Sequence, residues 1–343
     1  HVINPFAASG EEHARATRLT LASIAVARAE AAKHGIRVQP LAAVLPADRG
    51  VVANMSASAA LAAAGVDGAA EALACCVHVE EAELTGTLAQ SLPGARHTLP
   101  LLRAILRVGY ERGTGHYLVY SNIDIALQRD AYVQLAALLR RQPAVPISSI
   151  REEFERIDAG FGLAAAAARR GKGLPHPGHD LWVFPREWVP KLALGEVVLG
   201  VSLVAMALNQ ALLGLSKCRL LQLSRQLTFH AVEGESVVKH KRLQRARSDR
   251  LFREKYTAYN CVHTRHQLAR LMRDEAFRGC WLAQQVARSL NAYKCPMYIT
   301  QLPESLQKMW ADATAELHGR FPQTDAVQDS TAKAVAGGRV AVR

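Results

Sequence analysis

His116–Leu127 reads HYLVYSNIDIAL, and this stretch decides the fold. His116–Tyr120 is a short, mostly apolar run rich in β-forming side chains, and polar residues close it at Ser121, Asn122 and Asp124. Such a run, bounded by turn formers, is expected to be a strand. With no polar residue after His116 on either side of its pleat, it is expected to be buried on both faces, in the middle of a helix-covered sheet. Side chains two apart on an extended chain point the same way, so Asn122 and Asp124 are expected to face one site together. The plainer alternative is a strand end whose aspartate caps the next turn.

Working outward from this strand, short apolar runs alternate with helical periods. His1–Asn4 reads as a strand, and Ser9 with Glu12 forms a capping box for a helix to about His34, stopped by Gly35. Strands are expected at Leu41–Leu45 and Cys76–Val79, with an alanine-rich helix over Asn54–Ala74 between them. Thr98 caps a helix ending at Arg112-Gly113, Asp130 opens another to about Gln142, and Val145–Ile150 is a further strand. Repeated strand–helix–strand units of this length imply a Rossmann-like α/β fold: a mostly parallel sheet with helices on both faces. Asp158–Gly178 reads as a mobile glycine-rich loop around a small alanine helix, and Asp180–Phe184 as a strand. A short helix over Pro185–Gly195, a longer one over Glu196–Leu215, and strands at Cys218–Leu223 and Leu227–His230 complete this part. Three regions follow: an α/β domain over residues 1–236, a basic helical extension over 237–322, and a disordered tail over 323–343.

The formal net charge of +12 suits phosphate-bearing partners. Its densest run, KHKRLQRARSDRLFR at Lys239–Arg253, has no interleaved aromatics to stack bases, and no zinc finger or RNP pattern occurs. Nucleic acid is therefore not the expected partner. The apolar stretch Leu192–Leu215 contains Glu196, Asn209 and Gln210, and reads as a buried helix rather than a transmembrane segment. No secretory signal is legible at the start of the chain. Six cysteines lack paired metal-ligand spacing and are read as buried thiols in a reducing compartment, favouring the cytoplasm over a secretory lumen.

In open α/β sheets ligands bind at the carboxyl ends of strands, and three polar sites are expected there. The first is Asn122 with Asp124, a carboxylate and an amide oxygen suited to a hard cation carrying phosphates. The second is Gly178-His179-Asp180 in HPGHDLWVFPREW, where Asp180 sits at a strand tip beside a flexible approach, placed for a general base. The third is His230 at the end of Thr228-Phe-His, a metal ligand or phosphate contact. The order of these pieces resembles the GT-A class of glycosyltransferases, over roughly residues 1–236. The resemblance implies that Asp124 ligates a divalent cation, manganese or magnesium, with Asn122 in the position of the first acid of the DxD motif. It further implies that Asp180 is the base of an inverting reaction and that His230 completes the metal site. With Asn122 the site has one carboxylate fewer, and Lys172 or Arg129 is expected to help neutralise phosphate.

The function that follows is an enzyme moving a sugar from a nucleotide-diphosphate donor to a hydroxyl acceptor, with Ala159–Gly178 as the loop that excludes water. Two alternatives stand beside it. One is another nucleotide-dependent transferase or a nucleotidyltransferase. The other is a non-catalytic protein that binds an anionic partner through Lys239–Arg253. A P-loop enzyme or a dinucleotide-dependent dehydrogenase is excluded, because neither GxxxxGK[ST] nor GxGxxG after the first strand occurs.

Overall fold

The structure is a computed structural model that describes residues 1–6, 11–56, 67–76, 78–92, 95, 98–154, 162–223, 227–230, 247–292, 295 and 297–320. Among the described residues nine strands form one sheet: β1 Val2–Ile3, β2 Leu41–Val44, β3 Glu80–Glu83, β4 Tyr117–Ser121, β5 Ile125–Leu127, β6 Ile147–Glu153, β7 Leu174–Pro185, β8 Leu221–Leu223 and β9 Thr228–His230. The order is β3-β2-β1-β4-β7-β6-β9-β5, with β8 added on β6. Pairing is parallel for β1 with β2 and β4, for β2 with β3, and for β6 with β8 and β9. It is antiparallel for β7 with both its neighbours and for β5 with β9. The mostly parallel α/β class expected from the sequence is the one observed.

Alternation along the central strands sends side chains to two separate cores. Ile3, Ala42, Val44, Leu181 and Val183 pack under helix α1 (Glu11–Lys33) and a second helix, Ala131–Arg141. Val2, Leu41, Ala43, Leu118, Tyr120, Trp182 and Phe184 pack on the other face, under the helices Leu102–Arg112 and Val204–Leu215. A sheet buried on both sides needs strands apolar at every position, as Tyr117–Tyr120 is. The first helix ends as the sequence implied: Ile36 N donates to Ala31 O at 3.0 Å around Gly35, whose φ of +70° a glycine adopts without strain.

Several expected boundaries move. The third strand is not Cys76–Val79 but the acidic Glu80–Glu83 at the sheet edge, where charge discourages pairing with another chain. Helices cover Val51–Ser56 and Ala69–Cys76, while Ser9, residues 57–66 and the tail 323–343 lie outside the described residues. The seventh strand starts at Leu174, inside the stretch read as mobile loop. Its end from Leu174 to His179 is hydrogen-bonded along the sixth strand, so this part of the expected closing loop belongs to the sheet.

The helices Arg247–Leu271, Glu275–Arg278, Trp281–Ala292 and Glu304–Arg320 form the C-terminal layer. Polar side chains of the first are buried against the α/β part. Asn260 accepts from Val198 N at 2.8 Å and donates to the carbonyls of Val198 and Ser202 at 2.9 Å each, and Gln267 donates to Ala207 O at 2.8 Å. Among the described residues no helix is long and apolar enough to cross a membrane.

Candidate active site

The site forms where β4 runs out of the sheet. The last backbone contact between β4 and β7 is Asn122 N to Asp180 O at 3.3 Å, which seats Asn122 beside Asp180. Asn122 Nδ2 donates to Asp180 Oδ1 at 2.8 Å, and Asn122 Oδ1 accepts from the Tyr120 hydroxyl at 3.1 Å. The Tyr120 ring stacks on Trp182 with centroids 5.6 Å apart, and Trp182 Nε1 donates to Asn209 at 2.8 Å. These contacts fix the polar corner from below.

Arg151 supplies the positive charge. Between Ser149 and Glu152 the register of β6 against β7 shifts twice, and such a bulge re-aims the side chains within it. The Arg151 guanidinium reaches Asp180 Oδ2 at 2.6 Å through Nη1, and Glu153 Oε1 at 3.0 Å through Nη2. The side chains of Arg151 and Asp180 are 12% and 8% exposed, so this ion pair is shielded from water. Burial disfavours the charge on Arg151, but the carboxylates of Asp180, Asp124 and Glu153 outweigh it and raise its pKa.

Asp124 and His230 meet through the outer strands. Ile125 opens β5 and pairs with His230 of β9, which places the imidazole next to Asp124. His230 Nε2 lies 3.1 Å from Asp124 Oδ2; the histidine side chain is 5% exposed and the aspartate 39%. Burial opposes ionisation of Asp124, yet the hydrogen bond and charge of His230, with the charge of Arg151, hold its carboxyl below the ordinary value. The Tyr120 hydroxyl is pushed the other way, by burial and then by the charges of Asp180 and Asp124.

Asn122, Asp124, Asp180 and His230 are thus brought to one corner of the sheet. Two expectations need correction. Asp180 is not at a strand tip with a free carboxylate: it lies within the twelve-residue β7, 5% exposed, with both oxygens engaged. Among the described residues no hydrogen bond or ion pair joins Lys172 to Asn122, Asp124, Asp180 or His230. Its ammonium donates to Ala168 O at 3.2 Å, in a turn fastened by the buried Glu152 carboxylate, which accepts from Gly171 N at 3.1 Å and Gly173 N at 2.6 Å. Arg129 is tied to Glu30 at 2.8 Å and to the Asp67 carbonyl. The cation that does belong to the corner is Arg151, which the sequence does not mark, because the apolar run Val145–Ile150 ends one residue before it. Two cavities of about 1130 Å³ and 1080 Å³ lie elsewhere on the molecule and are lined by none of these residues.

The corner offers few donors for the divalent cation that the resemblance implies. Among the described residues no group of three histidine, cysteine or acidic side chains could hold a metal. Asp124 and His230 offer one carboxylate oxygen and one imidazole nitrogen 3.1 Å apart, and the buried His230 Nδ1 has no hydrogen-bond partner among the described residues. An imidazole is a poor magnesium ligand, so these two donors would hold a softer divalent cation such as manganese only with substrate phosphate oxygens supplying the rest.

No family model matches the chain, and no curated protein matches it. Solved structures do. TarS from S. aureus (residues 1–349, in complex with UDP) is 9% identical, with 94% of this chain and 80% of that chain covered at a TM-score of 0.43. Glucosyl-3-phosphoglycerate synthase from Mycobacterium tuberculosis, in complex with phosphoglyceric acid, is 13% identical over 79% of this chain and 78% of that one, at 0.37. An apo UDP-glucose pyrophosphorylase is 11% identical over 70% of this chain and 98% of that one, at 0.34.

Proposed function

We propose that this chain transfers a sugar from a nucleoside diphosphate donor to a hydroxyl group, with the donor diphosphate seated at Asp124 and His230. The observation that carries the reading is the pair itself. A half-open carboxylate, kept ionised by a buried histidine 3.1 Å away, stands at the carboxyl end of the central strands, where open α/β sheets bind ligands. A divalent cation bound there would offset the charge that develops on the departing diphosphate. Asp124 and His230 would hold it, while Arg151 keeps the corner from accumulating uncompensated negative charge.

In this reading Asp180 is a positioning residue. It clamps Asn122 with one oxygen and Arg151 with the other, and an acceptor hydroxyl would reach it only by displacing one of them. In this reading the described residues up to His230 carry the donor site, and the helices from Arg247 to Arg320 form the extension. The basic run bears on no part of the proposal, since residues 239–246 lie outside the described ones.

The test is turnover. The purified chain is incubated with a panel of uridine, guanosine, adenosine and thymidine diphosphate sugars, with manganese, magnesium or chelator, and release of nucleoside diphosphate is measured with and without glycan acceptors. The reading expects slow hydrolysis of one donor, accelerated by an acceptor. No binding and no turnover of any donor at millimolar concentration would overturn it.

A further inference from the structure

All six cysteines of the chain are paired, as Cys75–Cys76, Cys218–Cys280 and Cys261–Cys295. The thiols expected from the sequence are therefore absent. The first pair joins neighbours and ties nothing distant. The other two span 62 and 34 residues, with Cα atoms 5.8 Å and 6.1 Å apart, inside the range a disulfide bridges.

These two bridges bracket one helix, Trp281–Ala292. Cys280 precedes it and is joined to Cys218, in the turn between helix Val204–Leu215 and β8. Cys295 follows it and is joined to Cys261, a fully buried residue of the long helix Arg247–Leu271. All four lie in the cluster that Leu213, Leu268, Met272, Ala287 and Leu290 build between the helical layer and the α/β part. A buried thiol needs no partner, so a reducing compartment gives no reason for four cysteines this far apart in sequence to meet in two exclusive pairs.

We infer that the chain folds in an oxidising compartment, and that Cys218–Cys280 and Cys261–Cys295 are structural staples fixing helix Trp281–Ala292 to the rest of the molecule. Each bridge forms as two thiols lose two protons and two electrons. The electrons pass by thiol–disulfide exchange to a disulfide-bearing oxidoreductase of that compartment. The inference stands on the cysteines alone and does not rest on the proposed sugar transfer.

The full chain is produced twice, once through a secretory leader and once in a reducing cytosol. Each product is denatured without reductant, alkylated with N-ethylmaleimide and mapped by mass spectrometry, and its Tm is measured with and without dithiothreitol. The secreted product is expected to yield joined peptides 218–280 and 261–295 and no alkylation at these four positions. Reduction should lower its Tm by about 10 °C, to the value of the cytosolic product. Four alkylated cysteines or crossed pairs in the secreted product would overturn the inference. So would a fully reduced cytosolic product as stable as the secreted one. Chemical reduction of the wild type keeps the test open if Cys280→Ser or Cys261→Ser fails to fold.

Discussion

Asn122 and Asp180, 58 residues apart, are joined amide to carboxylate at 2.8 Å across the seam of β4 and β7. The carboxylate is held from the other side by Arg151 at 2.6 Å. Asn122 is thus an amide that a neighbouring acid orients, and the two form one unit.

That unit separates two roles for Asp180. Asp180→Asn removes the charge that holds Arg151, so the corner shifts. Donor affinity and kcat should then fall together, with about 100-fold lost in kcat/KM. A base would give a different result, a collapse of kcat with donor affinity intact. Donor binding by calorimetry, beside steady-state kinetics, reads the difference.

Arg151→Met leaves the Asp180 carboxylate buried without its counter-ion. Removing one member of a buried pair costs about 3–5 kcal/mol, and replacing both members by apolar groups restores much of it. Urea denaturation should show that loss for Arg151→Met and a partial recovery for Arg151→Met with Asp180→Leu.

His263 provides the pH dependence. It is buried on the helix Arg247–Leu271 against Tyr259, ring centroids 4.5 Å apart, and among the described residues Nε2 has no hydrogen-bond partner. Burial lowers its pKa to about 4, from 6.5. The folded state then binds fewer protons than the unfolded one between these values. Stability is full above pH 6.5 and declines as pH falls towards 4, by about 3 kcal/mol in all. Asp124 adds in the same direction at lower pH, since its carboxyl is held below its ordinary value. Unfolding midpoints at pH 7.5 and 5 should differ less in His263→Phe than in the wild type.

Asn260→Ala tests whether the C-terminal helices are part of the core. It leaves Val198 N, Val198 O and Ser202 O without their partner at a fully buried position. Three lost hydrogen bonds predict a destabilisation of about 3 kcal/mol, measured by thermal or urea unfolding. An unchanged midpoint would mark the layer as dispensable to the fold.

The strands were legible wherever their apolar runs were continuous. Tyr117–Ser121, Leu41–Val44 and Thr228–His230 lie within a residue or two of expectation, because burial on both faces leaves little choice of side chain. The first half of the seventh strand, Leu174–His179, was hidden by the prolines and glycine of LPHPG, which read as loop chemistry while β6 in fact pairs with that segment. Arg151 was hidden by the register shifts beside it. A bulge has no signature in a single sequence, and the partner that gives this arginine its meaning is 29 residues away. The pairing of Asp124 with His230 depends on the antiparallel match of β5 with β9, a long-range choice that local pattern does not encode.

The central claim is that a diphosphate binds at Asp124 and His230, and a crystal structure of the chain soaked with a nucleoside diphosphate and manganese tests it most directly. The account predicts density for the diphosphate and the metal in contact with the Asp124 carboxylate and His230 Nε2, the hydrogen bond between them opened to admit the ion. Diphosphate density elsewhere on the chain, with Asp124 and His230 still bonded to each other, would contradict it.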